Sequence, residues 1–183
     1  GLVGSSIAYG LARLGARVAV LDEGDRALRA SRANFALVWV QSKGMGCAPY
    51  AAWSAGSAEL WPTLAAELRE ATGIDVAYHR PGGFMICLSE DELAARSAAM
   101  HRLLSQPGAP AYAWETLDHA GVKRMLPAIG PDVVGATYCP LDGHANSLRL
   151  FGALHVAMDR AGVAYRPERP AERVEPHQGG FRI

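Results

Sequence analysis

Apolar residues recur at helical spacing near the start of the chain. Ile7, Leu11 and Leu14 fall on one face of a helix over this stretch, so that face can pack against a sheet. Gly15 follows at the position where a helix would end, because glycine adopts the left-handed backbone conformation without a steric penalty. Residues 18–21 are a short aliphatic run bounded by turn formers, as is typical of a buried parallel strand. The pattern predicts a helix that lies on a sheet and leads into a strand.

A second helical pattern covers residues 50–72, where Pro62 is expected to kink or restart the helix. One face of this helix carries large apolar and aromatic side chains. We expect that face to be core rather than part of a cofactor site. The residues on it are Tyr50, Trp53, Ser57, Leu60, Trp61, Leu64 and Leu68.

Residues 73–140 do not continue a doubly wound pattern. Two strand-like runs flank Pro81-Gly82-Gly83, which predicts a hairpin. Ser89 and Glu92 have the spacing of a capping box at the start of a helix. The segment is therefore predicted to be mixed and mainly antiparallel α+β. Its elements are strands at 74–79, 84–88, 112–115 and 133–138, and helices after Ser89 and at 118–126.

The pattern returns to α/β over residues 141–183. Asp142-Gly143 is a turn dipeptide, and Ser147 can cap a helix that ends at Gly162. Residues 163–166 then form a predicted strand, and two shorter strands are expected around residues 177–180.

Composition narrows the function classes. The chain is 50% hydrophobic and 20% charged, which fits a soluble α/β protein. Its 18 basic residues balance 18 acidic residues, so it lacks the basic footprint of nucleic-acid binding. The longest apolar run, residues 35–40, is far shorter than the roughly 20 residues of a membrane-spanning helix. The histidine spacing does not favour a metal site.

The three cysteines, at positions 47, 87 and 139, are odd in number and widely spaced. This pattern indicates reduced thiols in a cytoplasmic protein, with a location peripheral to the inner membrane as the alternative.

The first four residues supply candidate chemistry. In the dinucleotide-binding fingerprint G-x-G-x-x-G, Gly1 and Gly4 match the second and third glycines, which permit phosphate approach and close helix packing. On this alignment the first glycine and its strand are missing, so we expect an N-terminally truncated fold. Asp22 lies 21 positions after Gly1, near the spacing of about 20 for an acid that binds ribose hydroxyls. A generic βαβ unit is the alternative.

Five short motifs, in order, resemble the FAD-dependent amine oxidoreductases of the D-amino-acid oxidase superfamily. This group includes glycine and sarcosine oxidases, D-amino-acid dehydrogenases and the flavin subunits of opine oxidases. The motifs are Gly1-Leu2-Val3-Gly4, Val20-Leu21-Asp22, Ala30-Ser31-x-x-Asn34 leading into Leu37-Val38, Arg80-Pro81-Gly82-Gly83-Phe84 and Asp142-Gly143-His144-Ala145-Asn146. The resemblance covers nearly the whole chain.

The resemblance implies a Rossmann-like FAD-binding domain with an inserted substrate domain. Residues 1–72 and 141–183 would form parts of the first, and residues 73–140 part of the second. It also implies FAD as the cofactor, held by Gly1, Val3, Gly4, Asp22, Glu23, Ser31, Asn34, Ala36, Leu37 and Ala171.

Four of these predicted contacts have qualifications. Ser31 and Asn34 would donate hydrogen bonds near the pyrophosphate and flavin, but they can equally cap a short helix and close a turn. The family often has glycine at the position of Ala36, where the backbone approaches the flavin. Ala171 would contact adenine through its backbone, where valine is commoner.

The implied reaction is oxidation of the C–N bond of a small amine or D-amino acid to an imine. Hydride equivalents pass to the flavin, and O2, a quinone or a partner subunit is the final acceptor. Such a site needs no metal and no histidine base. It needs a cation for the substrate carboxylate, for which Arg80 and Arg149 are candidates by placement. His144 and Asn146 would lie near the flavin or form a polar turn. The catalytic residues stay unassigned.

Two other function classes are kept as alternatives. One is an NAD(P)-dependent dehydrogenase, which the loop at residues 30–41 disfavours. The other is a noncatalytic flavin-binding subunit of a heteromeric complex. Because the first strand of the fingerprint is missing, we expect the 183-residue chain by itself to bind FAD poorly and to be inactive.

Overall fold

The structure, a computed structural model, describes residues 1–24 and 30–183. The helices are α1 (Leu2–Arg13), α2 (Ala30–Ala33), α3 (Ala48–Thr72), α4 (Glu90–Leu104), α5 (His119–Met125) and α6 (Ser147–Arg160). The strands are β1 (Ala19–Leu21), β2 (Leu37–Val38), β3 (Gly83–Cys87), β4 (Glu115–Asp118), β5 (Gly135–Cys139), β6 (Gly143–His144), β7 (Ala164–Arg166), β8 (Glu175–His177) and β9 (Gly180–Arg182).

The chain divides into two compact units. Unit 1 consists of Gly1–Phe35, Ala65–Val76 and Asn146–Ile183, and unit 2 consists of Ala36–Leu64 and Ala77–Ala145. The functional domain limits expected from the sequence, at 72/73 and 140/141, stay a prediction.

Unit 1 contains a parallel pair of strands, β1 and β7, with Val20 opposite Tyr165. Helices α1 and α6 pack against each other. The predicted helix, glycine and strand are present, since α1 ends before Gly15, which has φ +83°. The predicted burial is wrong for the described chain, because Ile7, Leu11 and Leu14 are exposed and β1 is largely exposed. The side chains that α1 buries are instead Ser5, Ala8 and Tyr9. The strands expected around residues 177–180 are also confirmed as the hairpin β8–β9. Helix α6 buries its apolar face, made of Leu150, Ala153, Leu154, Ala157 and Met158.

Unit 2 contains an antiparallel sheet in the order β3-β5-β4, which confirms the predicted mixed segment in outline. Helices α4 and α5 pack against β5, whose Ala136 is fully buried. The predicted capping box starts α4. The Ser89 hydroxyl accepts a hydrogen bond from Glu92 N–H, and the Glu92 carboxylate accepts one from Leu88 N–H.

The predicted hairpin at Pro81-Gly82-Gly83 is wrong. Residues 74–79 form no strand, and β3 pairs with β5 from far along the chain. The two glycines are present for close packing, because a Cβ at Gly82 would collide with the Tyr138 ring and one at Gly83 with the Trp39 ring. The two glycines predicted a local turn, whereas they are required by contacts with side chains far away in the sequence.

Three further expectations need correction. The strand expected at 112–115 begins only at Glu115, as β4. The side chain that caps α6 is Asn146, whose Oδ1 accepts from Arg149 N–H, and not Ser147. In unit 2, the buried residues of α3 are the small ones, Ala51, Ala55 and Ala58, while Trp53 is 73% exposed. In unit 1, Leu68 of the same helix is fully buried, as predicted. The core assignment is therefore confirmed for Leu68 and wrong for exposed residues such as Trp53 and Leu60.

A buried chain of polar side chains links β2, β5 and β6 in unit 2. Asp142 is fully buried, and its carboxylate accepts from Val40 N–H at 2.6 Å and from Gln41 Nε2 at 2.8 Å. Gln41 Oε1 accepts from the Thr137 hydroxyl at 2.7 Å, and that hydroxyl oxygen accepts from Arg96 Nε at 3.3 Å. Asp142 is therefore a buried, fixed acceptor, whereas the dipeptide Asp142-Gly143 predicted only a turn.

Burial raises the pKa of Asp142, while the bonds from Val40 and Gln41 and the charge of Arg96 lower it in part. A raised pKa means that the folded state holds this proton more tightly than the unfolded state. Ionisation of Asp142 therefore costs stability as the pH rises through its folded pKa. The donors aimed at the carboxylate limit that cost.

We expect Asp142→Asn to lower the free energy of unfolding of the whole protein by about 1–3 kcal/mol, because its amide N–H group must face either Val40 N–H or the Gln41 amide. Urea denaturation followed by tryptophan fluorescence measures the change. The exposed Asp132 supplies the control, and Asp132→Asn should shift stability by less than about 0.5 kcal/mol. Equal stability of the two variants would contradict this account of the buried chain.

Ala36 lies immediately before β2 with φ +54°, a left-handed conformation that disfavours a side chain. Replacement of Ala36 by glycine should relieve about 1–2 kcal/mol of backbone strain. The added conformational entropy of the unfolded chain offsets about 0.4–1 kcal/mol of this gain. The free energy of unfolding of Ala36→Gly should therefore be higher by about 0.5–1 kcal/mol. Ala52→Gly, at an exposed position of α3, should instead destabilise by about 1 kcal/mol. The denaturation midpoints of the two variants measure these changes, which should have opposite signs. Midpoint shifts of the same sign in both variants would contradict the strain at Ala36.

Candidate functional site

The start of α1 in unit 1 brings a glycine, helix amide groups and a hydroxyl group together. The Leu2 N–H donates to the Ser31 hydroxyl at 3.0 Å, and a Cβ at Gly1 would lie only 2.8 Å from the Ser31 Oγ atom. Residue 1 is therefore a position where the close approach of another group favours glycine. The N–H groups of the first helical turn, including those of Val3 and Gly4, point out of the helix start, where negative charge is stabilised.

Ser31 bridges the helix start and the following segment. Its hydroxyl oxygen accepts from Leu2, and a hydroxyl that accepts one hydrogen bond can still donate its own proton. It lies within the short helix α2, so its place in a helix and its contact with the glycine turn are both observed. The arrangement puts a second donor beside the amide groups of α1.

Asp22 follows β1 at the carboxyl end of the strand, close to the glycine turn. Its Oδ2 atom lies 3.6 Å from the backbone nitrogen of Gly1, and its Oδ1 atom accepts from Gly24 N–H at 2.9 Å. The side chain is 22% exposed, so it is partly accessible to a ligand. Arg169 N–H donates to the Asp22 carbonyl at 2.9 Å, which ties the loop that contains Ala171 to this acid.

The structure brings Gly1, Ser31 and Asp22 together, as the sequence predicted for adjacent parts of one site. Glu23 and Asn34 are exposed on the segments that follow Asp22 and α2. The close helix packing expected at Gly4 is not observed, since a Cβ there would meet no atom of the described chain within 4 Å. The binding roles of all ten predicted residues stay predictions.

The predicted FAD-binding residues Ala36 and Leu37 belong to unit 2. Leu37 pairs with His144 in the antiparallel β2–β6 ladder, and Ala145 N–H donates to the Ala36 carbonyl at 3.0 Å. His79 extends this ladder through a bridge to His144, and the two imidazole rings lie 5.5 Å apart. His144 is therefore beside Leu37, while Asn146 caps α6 in unit 1. Neither observation assigns a cofactor contact.

The two candidate carboxylate-binding arginines lie in different units. Arg80 is exposed and lines a cleft of unit 2 with Glu59 and Tyr112. Arg149 is exposed on the first turn of α6 in unit 1. Their predicted role in binding a substrate carboxylate therefore remains a hypothesis for each arginine separately.

An aromatic cleft of about 300 Å³ opens between β2 and the first half of α3, entirely within unit 2. The sequence patterns did not predict it, because helical periodicity assigned the aromatic residues of α3 to the core. An indication was available in the small residues at positions 51, 55 and 58, which alternate with the large ones. Residues that line the cleft include Leu37, Trp39, Tyr50, Trp53, Ser57 and Trp61.

The ionisable groups packed behind this cleft are held in their neutral forms. Burial raises the pKa of Tyr112 to about 12 and that of Cys139 to about 11. Burial also raises the pKa of Tyr78, which the nearby Arg80 lowers in part. The Tyr78 hydroxyl is buried without a hydrogen-bond partner among the described residues. These groups therefore place no charge in the core behind the cleft.

Metal-ligating side chains do not cluster in the described part of the chain. Over residues 1–24 and 30–183, no group of three or more His, Cys, Asp and Glu side chains is arranged to hold a metal ion. The same ranges contain no helix both long and apolar enough to cross a membrane.

The residues in unit 1 fit the adenosine and pyrophosphate parts of FAD. The close approach at Gly1, the Ser31 hydroxyl and the helix start suit a phosphate, and the acid at the end of β1 suits a ribose diol. In unit 2, the left-handed backbone at Ala36 explains why a flavin-binding family would favour glycine there.

Comparisons with known proteins agree with these features. Residues 1–183 match the family model for FAD dependent oxidoreductases, abbreviated DAO. An opine oxidase subunit of Agrobacterium tumefaciens (strain Ach5) is 51% identical over 181 residues, which cover 99% of this chain and 49% of that protein. Glycine oxidase of Geobacillus kaustophilus is 31% identical over 166 residues, covering 89% of this chain and 42% of that protein.

A crystal structure of glycine oxidase from Geobacillus kaustophilus has a similar fold. It superposes with a TM-score of 0.84 at 26% identity, over 99% of this chain and 48% of that one. The chain spans about half the length of the relatives that it matches. With a family match over its whole length, the chain belongs to the DAO family of FAD-dependent oxidoreductases.

Proposed function

We propose that the whole protein oxidises the C–N bond of a small amine or amino acid to an imine, which water then hydrolyses. The main support for this proposal is that Gly1, Ser31 and Asp22 lie close together in a chain of this family. Bound FAD supplies the acceptor for the hydride equivalents that leave the substrate carbon. The residues of this chain bind and orient the reacting groups.

Each part of the site has a proposed task. The helix start and Ser31 hold the pyrophosphate, with Val3 and Gly4 contributing amides. Asp22 accepts hydrogen bonds from ribose hydroxyl groups, and Glu23, Asn34 and Ala171 lie on the segments that border this region. Ala36 and Leu37 present their backbone to the flavin. Arg80 and Arg149 remain the candidate cations for a substrate carboxylate, and no residue is proposed as catalytic.

The two units suggest how the whole protein is organised. We infer that unit 1 belongs to a Rossmann-like FAD-binding domain, because β1 and β7 are parallel and α1 starts at the glycine turn. The antiparallel sheet of unit 2 supports an inserted substrate domain. The domain limits 1–72, 73–140 and 141–183 are part of this proposal.

The relatives support a narrower substrate class and a partner. Two of them, from Agrobacterium tumefaciens (strain Ach5) and Rhizobium meliloti, are both named as a subunit of opine oxidase. We therefore propose an opine-like secondary amine as substrate and a second subunit that works with this protein. O2, a quinone or that subunit would accept the electrons. The family match favours FAD over a nicotinamide cofactor.

Asp22→Asn should weaken FAD binding by about 10–100-fold, because a hydrogen bond to a charged acceptor contributes about 1.5–3 kcal/mol. Titration of the FAD-free whole protein with FAD measures the dissociation constant. Asp132→Asn, an exposed change in unit 2, should leave this constant within about twofold. An unchanged dissociation constant in Asp22→Asn would remove the ribose-binding role from this residue.

The reaction itself is tested by incubating the FAD-loaded protein with glycine, sarcosine, proline, D-amino acids and opines, then identifying the carbonyl product and released amine. The proposal predicts such products from at least one secondary or D-configured amine. Product formation only after the partner is added would instead favour the noncatalytic flavin-binding subunit. No product in either condition would contradict amine oxidation.

A further inference from the structure

The aromatic cleft concentrates indole rings on one side of unit 2. The chain has four tryptophans, and three of them, Trp39, Trp53 and Trp61, line this cleft together with Tyr50. Trp53 is 73% exposed and Tyr50 is 45% exposed, so the rings face an accessible space. A cluster of exposed aromatic side chains marks a candidate binding surface.

Two of the rings are held in place by buried neighbours. Trp39 packs so closely against Gly83 that a Cβ there would collide with its ring, and the next residue, Val40, is fixed by its hydrogen bond to Asp142. Trp61 stacks on Tyr78 with ring centroids 5.4 Å apart and an angle of 18° between planes. Trp39 and Trp61 therefore present preorganised aromatic surfaces to the cleft.

The charge of the lining selects among ligands. Acidic and basic side chains are both missing from the described residues that line the cleft. The faces of aromatic rings carry negative potential, so they disfavour a carboxylate or phosphate and attract a cation. Ser54 and Ser57, one turn apart on α3, add hydroxyl oxygens that can accept hydrogen bonds from N–H donors.

We propose that the aromatic cleft binds an organic cation, an ammonium or guanidinium group carried by the distal part of the amine substrate. This substrate assignment rests on the proposed function. Leu37, proposed above to present its backbone to the flavin, lines the same cleft, so a substrate whose reacting carbon lies at the flavin can extend its substituent into the rings. The cleft would thus give the oxidation a preference for substrates with a second, cationic group.

The test compares choline with 3,3-dimethyl-1-butanol, its uncharged carbon analogue of nearly equal shape. Binding to the FAD-loaded whole protein is measured by quenching of tryptophan fluorescence and by saturation-transfer NMR of the methyl groups. We expect choline to bind about 3–30-fold more tightly than the alcohol, the range that a cation over aromatic rings provides. We also expect choline to compete with the amine substrate in the oxidation assay.

Trp53→Leu keeps an apolar side chain but removes the aromatic face. It should lower the preference for choline by about twofold or more, while Trp39, Tyr50 and Trp61 keep part of it and the weak binding of the alcohol stays within about twofold. Phe181→Leu is the matched control, because Phe181 is also 73% exposed but lies on β9 in unit 1. This control should keep the full preference. Circular dichroism and flavin content confirm that both variants are folded.

Several outcomes would overturn the proposal. Equal affinity for choline and the alcohol would show a merely apolar cleft, and binding of neither would show that small ligands do not use it. Loss of FAD from Trp53→Leu, with no choline binding in the wild type, would show that the flavin fills the cleft. Amine oxidation without choline discrimination would leave the proposed function standing. Choline discrimination without amine oxidation would support the cation site and remove its substrate assignment.

Discussion

The buried carboxylate of Asp142 is the constraint on which unit 2 depends. It is fully buried and accepts hydrogen bonds from Val40 N–H and the Gln41 amide. A carboxylate can only accept hydrogen bonds, so it determines which atoms donate in the hydrogen bonds that follow, from Gln41 through Thr137 to Arg96. This chain fixes the segment after β2, and with it the Trp39 ring and the strand that carries Leu37. A polar interaction in the core thereby positions the surfaces proposed to meet the cofactor and substrate.

The candidate sites in the two units differ in their electrostatic character. In unit 1, helix amides, a hydroxyl and a partly exposed acid gather at the start of α1, where they suit phosphate and ribose. In unit 2, burial keeps Tyr112 and Cys139 neutral and the cleft offers aromatic faces. One site therefore favours anionic groups and the other disfavours them. This division suits a flavoprotein whose cofactor is anionic and whose substrate is an amine.

Local patterns in the sequence predicted much of the fold. The helix before Gly15, the capping box at Ser89 and the hairpin β8–β9 each depend on neighbouring residues, and all are observed. The glycine turn and Asp22 were also predictable as one site, because a strand joined to a helix places its ends together. Their cofactor contacts remain predictions.

The rest could not be predicted because its causes are distant in sequence. Gly82 and Gly83 indicated a hairpin, whereas they make room for the rings of Tyr138 and Trp39. Asp142 resembled a turn residue, and its burial depends on donors about 100 positions earlier. The aromatic cleft was hidden because periodicity finds the apolar side of a helix but does not show whether that side meets core or ligand.

Anaerobic reduction of the bound flavin is the most direct test of the central claim, that this chain is part of an FAD-dependent amine oxidoreductase. The purified whole protein should be yellow, and its visible flavin absorbance should bleach without O2 when an opine-like or D-configured amine is added. Purified protein without flavin, or flavin that stays oxidised with every amine in the presence of its partner subunit, would contradict the claim.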